Sequence, residues 1–379
     1  MMRKVGLAAA FWLTGLSVVT AADSQENTAS LQSQLPVAGG AIHVLVDDLT
    51  GDGLTDLAFT SHSGGFVQIY RQVAPRRFEA AAEQEVAGFH PDDTIELRGS
   101  PKRYLINAEG DGKLKVVAAG ADGRLTLISE YRLAGPRAST AFSWPGWGQS
   151  LAIVPYSGKT LTLLRDFDPE KAQAKSVYRL DLSPEPKHVR LGDLNGDGVD
   201  ELVFTVRRKS EVWLIEYPGP DKEPVPRRVQ AFEGGWPRHV IPFDVDRNGT
   251  LDLLVPMAVR QEIAVLLNDG KANFTPGKAI PYPLKPGIHV MTAAQDKDGT
   301  RYLLAGGVKS LVLYKEGEVA GDFGNVLLPL ITWPNWVELK DVDGDGWLDA
   351  VVAMQGNPPS LVIYGPLWEA FAKLAGAGS

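Results

Sequence analysis

Apolar residues come along this chain in short runs, each closed off by a cluster of glycine, aspartate and asparagine. "ELVFTV" (201–206) is one such run and "SEVWLIEY" (210–217) the next, with only "RRK" between them. Runs of this length, rich in β-branched and aromatic residues and bounded by turn formers, predict β-strands joined by tight turns. Their alternation is imperfect, as expected where strands are covered on both faces. One unit reads "HVRLGD" as an inner strand, a polar loop, "ELVFTV", "SEVWLIEY", then "PRRVQAFEG" leading onward. The tail "PLWEAFAKLAGA" (366–377) reads as a short amphipathic helix or as disordered.

The polar break after the inner strand repeats. "DLTGDGLTDLAF" begins at Asp48, "DLNGDGVDELVF" at Asp193, "DVDRNGTLDLLV" at Asp244 and "DVDGDGWLDAVV" at Asp341. Worn copies begin at Asn107 ("NAEGDGKLKVVA") and Ala294 ("AQDKDGTRYLLA"). A seventh is marked by its flank alone, since "WPGWGQSLAIV" matches "WPNWVELKDVD" and sets Ala152 at the first position. The starts then fall at 48, 107, 152, 193, 244, 294 and 341, at intervals of 59, 45, 41, 51, 50 and 47 residues. Seven β-rich units of this length predict an all-β fold, a seven-bladed β-propeller of four-stranded blades. The last unit has three strands, and residues 30–38 are expected to supply its outer strand and close the ring, removing exposed edges. The expected domains are a signal segment at 1–22, the propeller at 23–365 and a tail at 366–379.

Each intact loop sets side-chain oxygens at its first, third, fifth and ninth positions. These are Asp48, Thr50, Asp52 and Asp56; Asp193, Asn195, Asp197 and Glu201; Asp244, Asp246, Asn248 and Asp252; Asp341, Asp343, Asp345 and Asp349. Glycine at position six permits the sharp turn that gathers them. Hard oxygens in this number suit Ca²⁺, giving up to four calcium sites. An Asx-turn that tightens the hairpin without metal is the competing reading. The pattern D-x-[DN]-x-[DN]-G-x-x-[DE] before an apolar strand resembles the FG-GAP/VCBS repeat family, which includes the integrin α-subunit head. Thr50 is the one departure in the four clear units. The resemblance implies a seven-bladed propeller with Ca²⁺ in the loops after the inner strands and a binding or adhesion role.

A second feature keeps the same period. Five residues before the loop stand His43, His188, His239 and His289, with Lys102, Trp147 and Trp336 in the other units. This position begins the inner strand, at the end away from the acidic loops. Three readings are open: a packing role inherited by repeats, a ligand platform of Trp faces with His and Lys donors, or a transition metal held by His188, His239 and His289. Lone His62 and His90 are expected at the surface. Asp92 and Asp93 in "FHPDDTIEL" are expected in a solvated loop, and "SWPGW" and "TWPNWV" as turn-and-core elements at blade junctions.

Composition narrows the function. Without cysteine there are no disulfides, thiol catalysis or Fe–S clusters. "MMRK", the apolar "VGLAAAFWLTGLSVV" and "TAA" form a secretory signal, with cleavage expected after Ala21 or Ala22. The mature protein is then exported, periplasmic or extracellular, with no membrane insertion after signal removal. Its formal charge of −8 becomes −10 on losing Arg3 and Lys4, and no basic cluster interleaves with aromatics, so no nucleic acid partner is expected. No G-x-S-x-G, H-E-x-x-H or P-loop occurs. The expectation is a calcium-stabilised monomer that binds or scaffolds a protein or glycan. The alternative is a propeller enzyme, a polysaccharide lyase or hydrolase using the three histidines around a metal.

Overall fold

A computed structural model describes residues 30–156, 158–182 and 185–377; the expected signal segment lies outside them. The chain forms seven antiparallel four-stranded blades in a ring. The inner strands are His43–Asp47, Pro91–Leu97, Pro136–Trp144, Pro186–Gly192, Ile241–Phe243, Val290–Gln295 and Pro334–Lys340, for blades one to seven. In blade five the outer strand is split, Phe274–Pro276 and Ile280–Pro281 both pairing with Glu262–Asn268. In blade seven the outer position is taken by Gln32–Leu35, antiparallel to Ser360–Ile363 with Gln32 opposite Ile363.

The core is divided among the junctions of the ring. Each of seven buried clusters joins two neighbouring blades, including blade seven to blade one. Strand periodicity explains why the middle strands look uniformly apolar. Leu202, Phe204 and Val206 pack toward blade three, whereas Val203 between them packs toward blade five. Successive side chains leave opposite faces of a strand, and here both faces meet a neighbour. Helix α1 (Leu367–Ala377) caps the blade six and seven junction, burying Leu367, Ala370 and Phe371.

Two repeat units are in a different register from the sequence reading. Blade two turns from its inner strand through 98–102, and Asn107 lies within the second strand, Arg103–Ala108. The acid-rich "NAEGDG" is therefore the next turn, at the opposite end of the blade. Blade three turns through 145–147, and Ala152 is inside the second strand, Gly148–Pro155. Here indoles replace the acids: Trp144 and Trp147 pack at 5.0 Å with Phe142 beside them, and Trp144 Nε1 donates to the Asp200 carbonyl of blade four. The acidic motif had anchored the alignment, and these two turns carry no acid.

Candidate functional site

Inner strands begin at one end of the ring, and around the axis there they enclose a cavity of about 180 Å³. It is lined by one or two residues from the start of every inner strand. These are His43 (blade one), Asp92 and Asp93 (two), Arg137 (three), Lys187 and His188 (four), Arg238 and His239 (five), His289 (six), and Asn335 and Trp336 (seven). Arg207 joins from the turn after blade four's second strand. Ladder register slips at this level in four blades, between Pro91 and Thr94, Pro136 and Ala138, Lys187 and Arg190, and Pro334 and Trp336. Such bulges re-aim side chains where a sheet ends, and His188 sits at one with φ +26°.

Trp336 forms the floor. Its indole lies 4.5 Å from the His43 ring, 5.4 Å from His188 and 5.7 Å from His239, the Arg190 guanidinium stands 5.3 Å from its centroid, and Nε1 donates to Glu338 Oε1 at 2.6 Å. A second opening of about 580 Å³, reaching Glu96, Arg98 and Lys340, occupies the other side of this floor.

Sequence had placed four histidines and Trp336 at this ring, and they are there. Lys102 and Trp147 are not, because of the register difference in blades two and three. Lys102 reaches instead to Asp47 and the Asp48 carbonyl at the loop end, and Trp147 is fully buried beside Tyr178. Asp92 and Asp93 are buried here, not solvated; Asp93 Oδ1 lies 3.0 Å from His43 Nε2 and its Oδ2 accepts from Ser139 N–H.

His188, His239 and His289 share the cavity without converging as a ligand set. The His188 and His239 rings stack nearly parallel at 4.2 Å. His289 stands edge-on to Trp333 at 4.4 Å, and its Nδ1 meets Arg238 Nη1 at 2.7 Å. A cation already faces the third imidazole. Burial, followed by Arg238, pushes His289 down to about 4, and burial holds His188 and His239 well below the ordinary imidazole value, so all three are neutral at pH 7.

The cavity's positive charge lies on blades three to five, facing Asp92 and Asp93 of blade two. Arg137, Arg207 and Arg238 surround Lys187, which is 8 % exposed. Arg137 has Asp92 at 3.8 Å and Arg207 has Glu185 at 3.8 Å, but among the described residues no acid forms an ion pair with the Lys187 ammonium, which Glu185 favours only from further off. Burial, then the neighbouring arginines, pushes Lys187 down to about 8. Exposed apolar side chains surround the same end: Tyr156 and Val259 in turns between second and third strands, and Phe89, Trp236 and Ile331 in the links between blades. Arg137 covers the Tyr156 ring at 4.9 Å and Arg207 the Trp236 ring at 5.3 Å. The basic pairs "KHV" and "RHV" were the sequence signal for Lys187 and Arg238.

At the opposite end the four acidic loops share one geometry. The first carboxylate accepts backbone N–H groups within the loop: Asp193 takes those of Gly196, Asp197 and Gly198, and Asp48 those of Gly51, Asp52 and Gly53. The ninth is fully buried in all four. In three it stitches the loop to the third strand or its end, Asp56 to Gln72, Asp252 to Asn268 and Asp349 to Gly365, whereas Glu201 accepts from Leu194 N–H and Asn195 Nδ2 within its own loop. Burial pushes both Glu201 and Asp349 up to about 7. Ligand oxygens converge to within 4.8 Å for Asp244, Asp246 and Asp252, and for Asp341, Asp343 and Asp345. In blade seven Arg76, from blade one, pairs with Asp343 and with Asp345 at 3.2 Å.

Seven four-stranded blades in a ring, with acidic turns at one end and a basic cavity at the other, define a seven-bladed β-propeller. Residues 193–255, from the first acid of blade four through the second strand of blade five, match the FG-GAP-like repeat family. That match and the complete ring around it fit an FG-GAP/VCBS-type propeller. Among solved structures it is similar to a chain in the crystal structure of BBS1N in complex with ARL6DN soaked with mercury. The TM-score is 0.62 at 10% identity, covering 88% of this chain and 94% of that one. The lead-soaked counterpart gives 0.60 at 12% identity, covering 89% and 97%. These likenesses establish the fold. No curated protein matches the chain.

Proposed function

We propose that this protein is an exported binding propeller that docks a protein partner on its cavity end and takes an anionic group of that partner into the basic cavity. The observation that carries the reading is Lys187, a buried ammonium with no acid of its own among three arginines. Burying such a charge is unfavourable unless an opposite charge joins it, and a carboxylate, sulfate or phosphate from a ligand would do so. The surrounding rim favours a protein over a glycan, since Val259 and Ile331 offer aliphatic surface that a sugar does not seek. Ile331 is 79 % exposed.

Calcium belongs to the same proposal as a structural ion at the other end. The converging oxygens of blades five and seven support it, as does the internal bonding that holds each first carboxylate in place before any ion arrives. Export rests on the amino-terminal sequence alone.

Calorimetry and melting curves of purified, calcium-loaded protein against acetate, sulfate, uronate sugars and acidic peptides test the reading. Binding of acidic peptides that raises the midpoint and disappears in Lys187→Met is expected. If no anion distinguishes wild type from that variant, the cavity is not an anion site and the proposal fails.

A further inference from the structure

At the junction of blades one and two, three segments bring a histidine and two carboxylates together. His62 follows blade one's second strand, Asp92 stands at the bulge that begins blade two's inner strand, and Glu109 follows blade two's second strand. One ligand atom from each lies within 4.8 Å of the others. His62 Nδ1, Asp92 Oδ2 and Glu109 Oε2 are all buried, and none has a hydrogen-bond partner. Asp92 is 4 % exposed. Its other oxygen has His62 Nδ1 at 3.6 Å and Arg137 Nε at 3.8 Å, both too long for a hydrogen bond.

We propose that His62, Asp92 and Glu109 bind a divalent first-row transition ion such as Zn²⁺ or Mn²⁺, at a site separate from the acidic loops. Buried polar atoms are nearly always satisfied, and here three unsatisfied ones belong to side chains that each bring a ligand atom within 4.8 Å of the others. Two carboxylates cannot satisfy each other without a proton or cation between them. A single ion answers all three, with ligand distances of about 2.0–2.2 Å reached by small side-chain closure. The imidazole sets this group apart from the all-oxygen loops: nitrogen with carboxylates suits Zn²⁺ or Mn²⁺, and oxygen alone suits Ca²⁺. Three protein ligands leave a position open, and Asp92 also lines the central cavity.

The test uses the full chain, stripped with chelator and returned to millimolar Ca²⁺ so that oxygen-only sites are filled. Zn²⁺ is then titrated by calorimetry, and Mn²⁺ by its electron paramagnetic resonance signal. One transition ion per chain is expected, with affinity falling about a hundredfold or more in Asp92→Asn and in Glu109→Gln, and unchanged in His289→Ala. Glu109→Gln changes only a half-buried side chain, so it keeps the test informative if Asp92→Asn does not fold. No binding of either ion above the calcium background, or equal binding in wild type and both carboxamide variants, overturns the site. Anion binding is measured separately, on chelator-stripped protein in calcium without transition ions, so the result is separable from the anion reading.

Discussion

The buried ammonium of Lys187 is expected to cost the fold stability. Its pKa of about 8 lies below the ordinary 10.5, so between those pH values the unfolded chain holds more protons than the folded one. Stability therefore rises with pH across that window; the penalty is fully present below pH 8 and gone above 10.5. A displacement of this size corresponds to about 3 kcal/mol. Lys187→Met should thus melt several degrees higher than wild type at pH 7, and the two should converge as the pH approaches 10.5, as thermal denaturation across that range will show. A melting midpoint that rises together with loss of anion binding in Lys187→Met would be the pattern of a functional position. At this scale the sequence was half legible. The histidine period marked blades one, four, five and six, because a rare residue in register stands out. Asp92, Asp93 and Arg137 were hidden since blades two and three lack the acidic loop that set the register. His62 and Glu109 belong to turns whose proximity only the closed ring creates.

Among the elements, the acidic turns are held by their own hydrogen bonds before any ion is considered. Asp193→Ala removes the acceptor for three backbone N–H groups, and should cost about 1–3 kcal/mol in chelator as well as in calcium. A purely ion-binding role would give a difference only when calcium is present. Wild type should gain about 2.7 kcal/mol for each site held at a hundredfold excess over its dissociation constant, seen as a higher melting midpoint. Blade seven differs because Arg76 already lies among its acids. Arg76→Gln should lower the midpoint in chelator and enlarge the calcium-induced rise, since the ion no longer competes with a guanidinium. These turns were the most legible elements, as a fixed spacing of acids around glycine is a local pattern. The turn at 98–102 was not, because nothing local separates one short hairpin connection from the next.

For the whole molecule, stability is spread around the circle. Seven buried clusters of similar make-up join the blades, and cross-blade contacts bind the loop end, among them Lys102 to Asp47, Arg247 to Glu316 and Lys297 to the Asp345 carbonyl. The seam in blade seven brings distant segments together: Ser33 Oγ meets Tyr364 OH at 2.7 Å, and the Tyr70 hydroxyl donates to the Pro36 carbonyl. Deleting residues 30–38 would leave the Ser360–Ile363 strand as a bare edge. Such a chain should melt lower than wild type and elute partly as oligomers on size exclusion. Blade number and strand order could be read from repeat spacing, since they follow from counting. The end of interest was marked by the histidine period, but which charged residues join that ring was not, because that depends on how the inner strands' first residues meet at the axis.

Trp336 gives the ring a further property. The floor of the cavity comes from blade seven, the unit assembled from both ends of the ring-forming sequence. A nascent chain emerging in order would present blades one to six with the recognition chamber open at its base. Only when the final inner strand seats its indole against His43, His188 and His239 does the chamber acquire a bottom. The cavity is therefore completed in the same event that completes the circle, and on the proposed reading a molecule with an unclosed ring would lack the floor of its binding chamber.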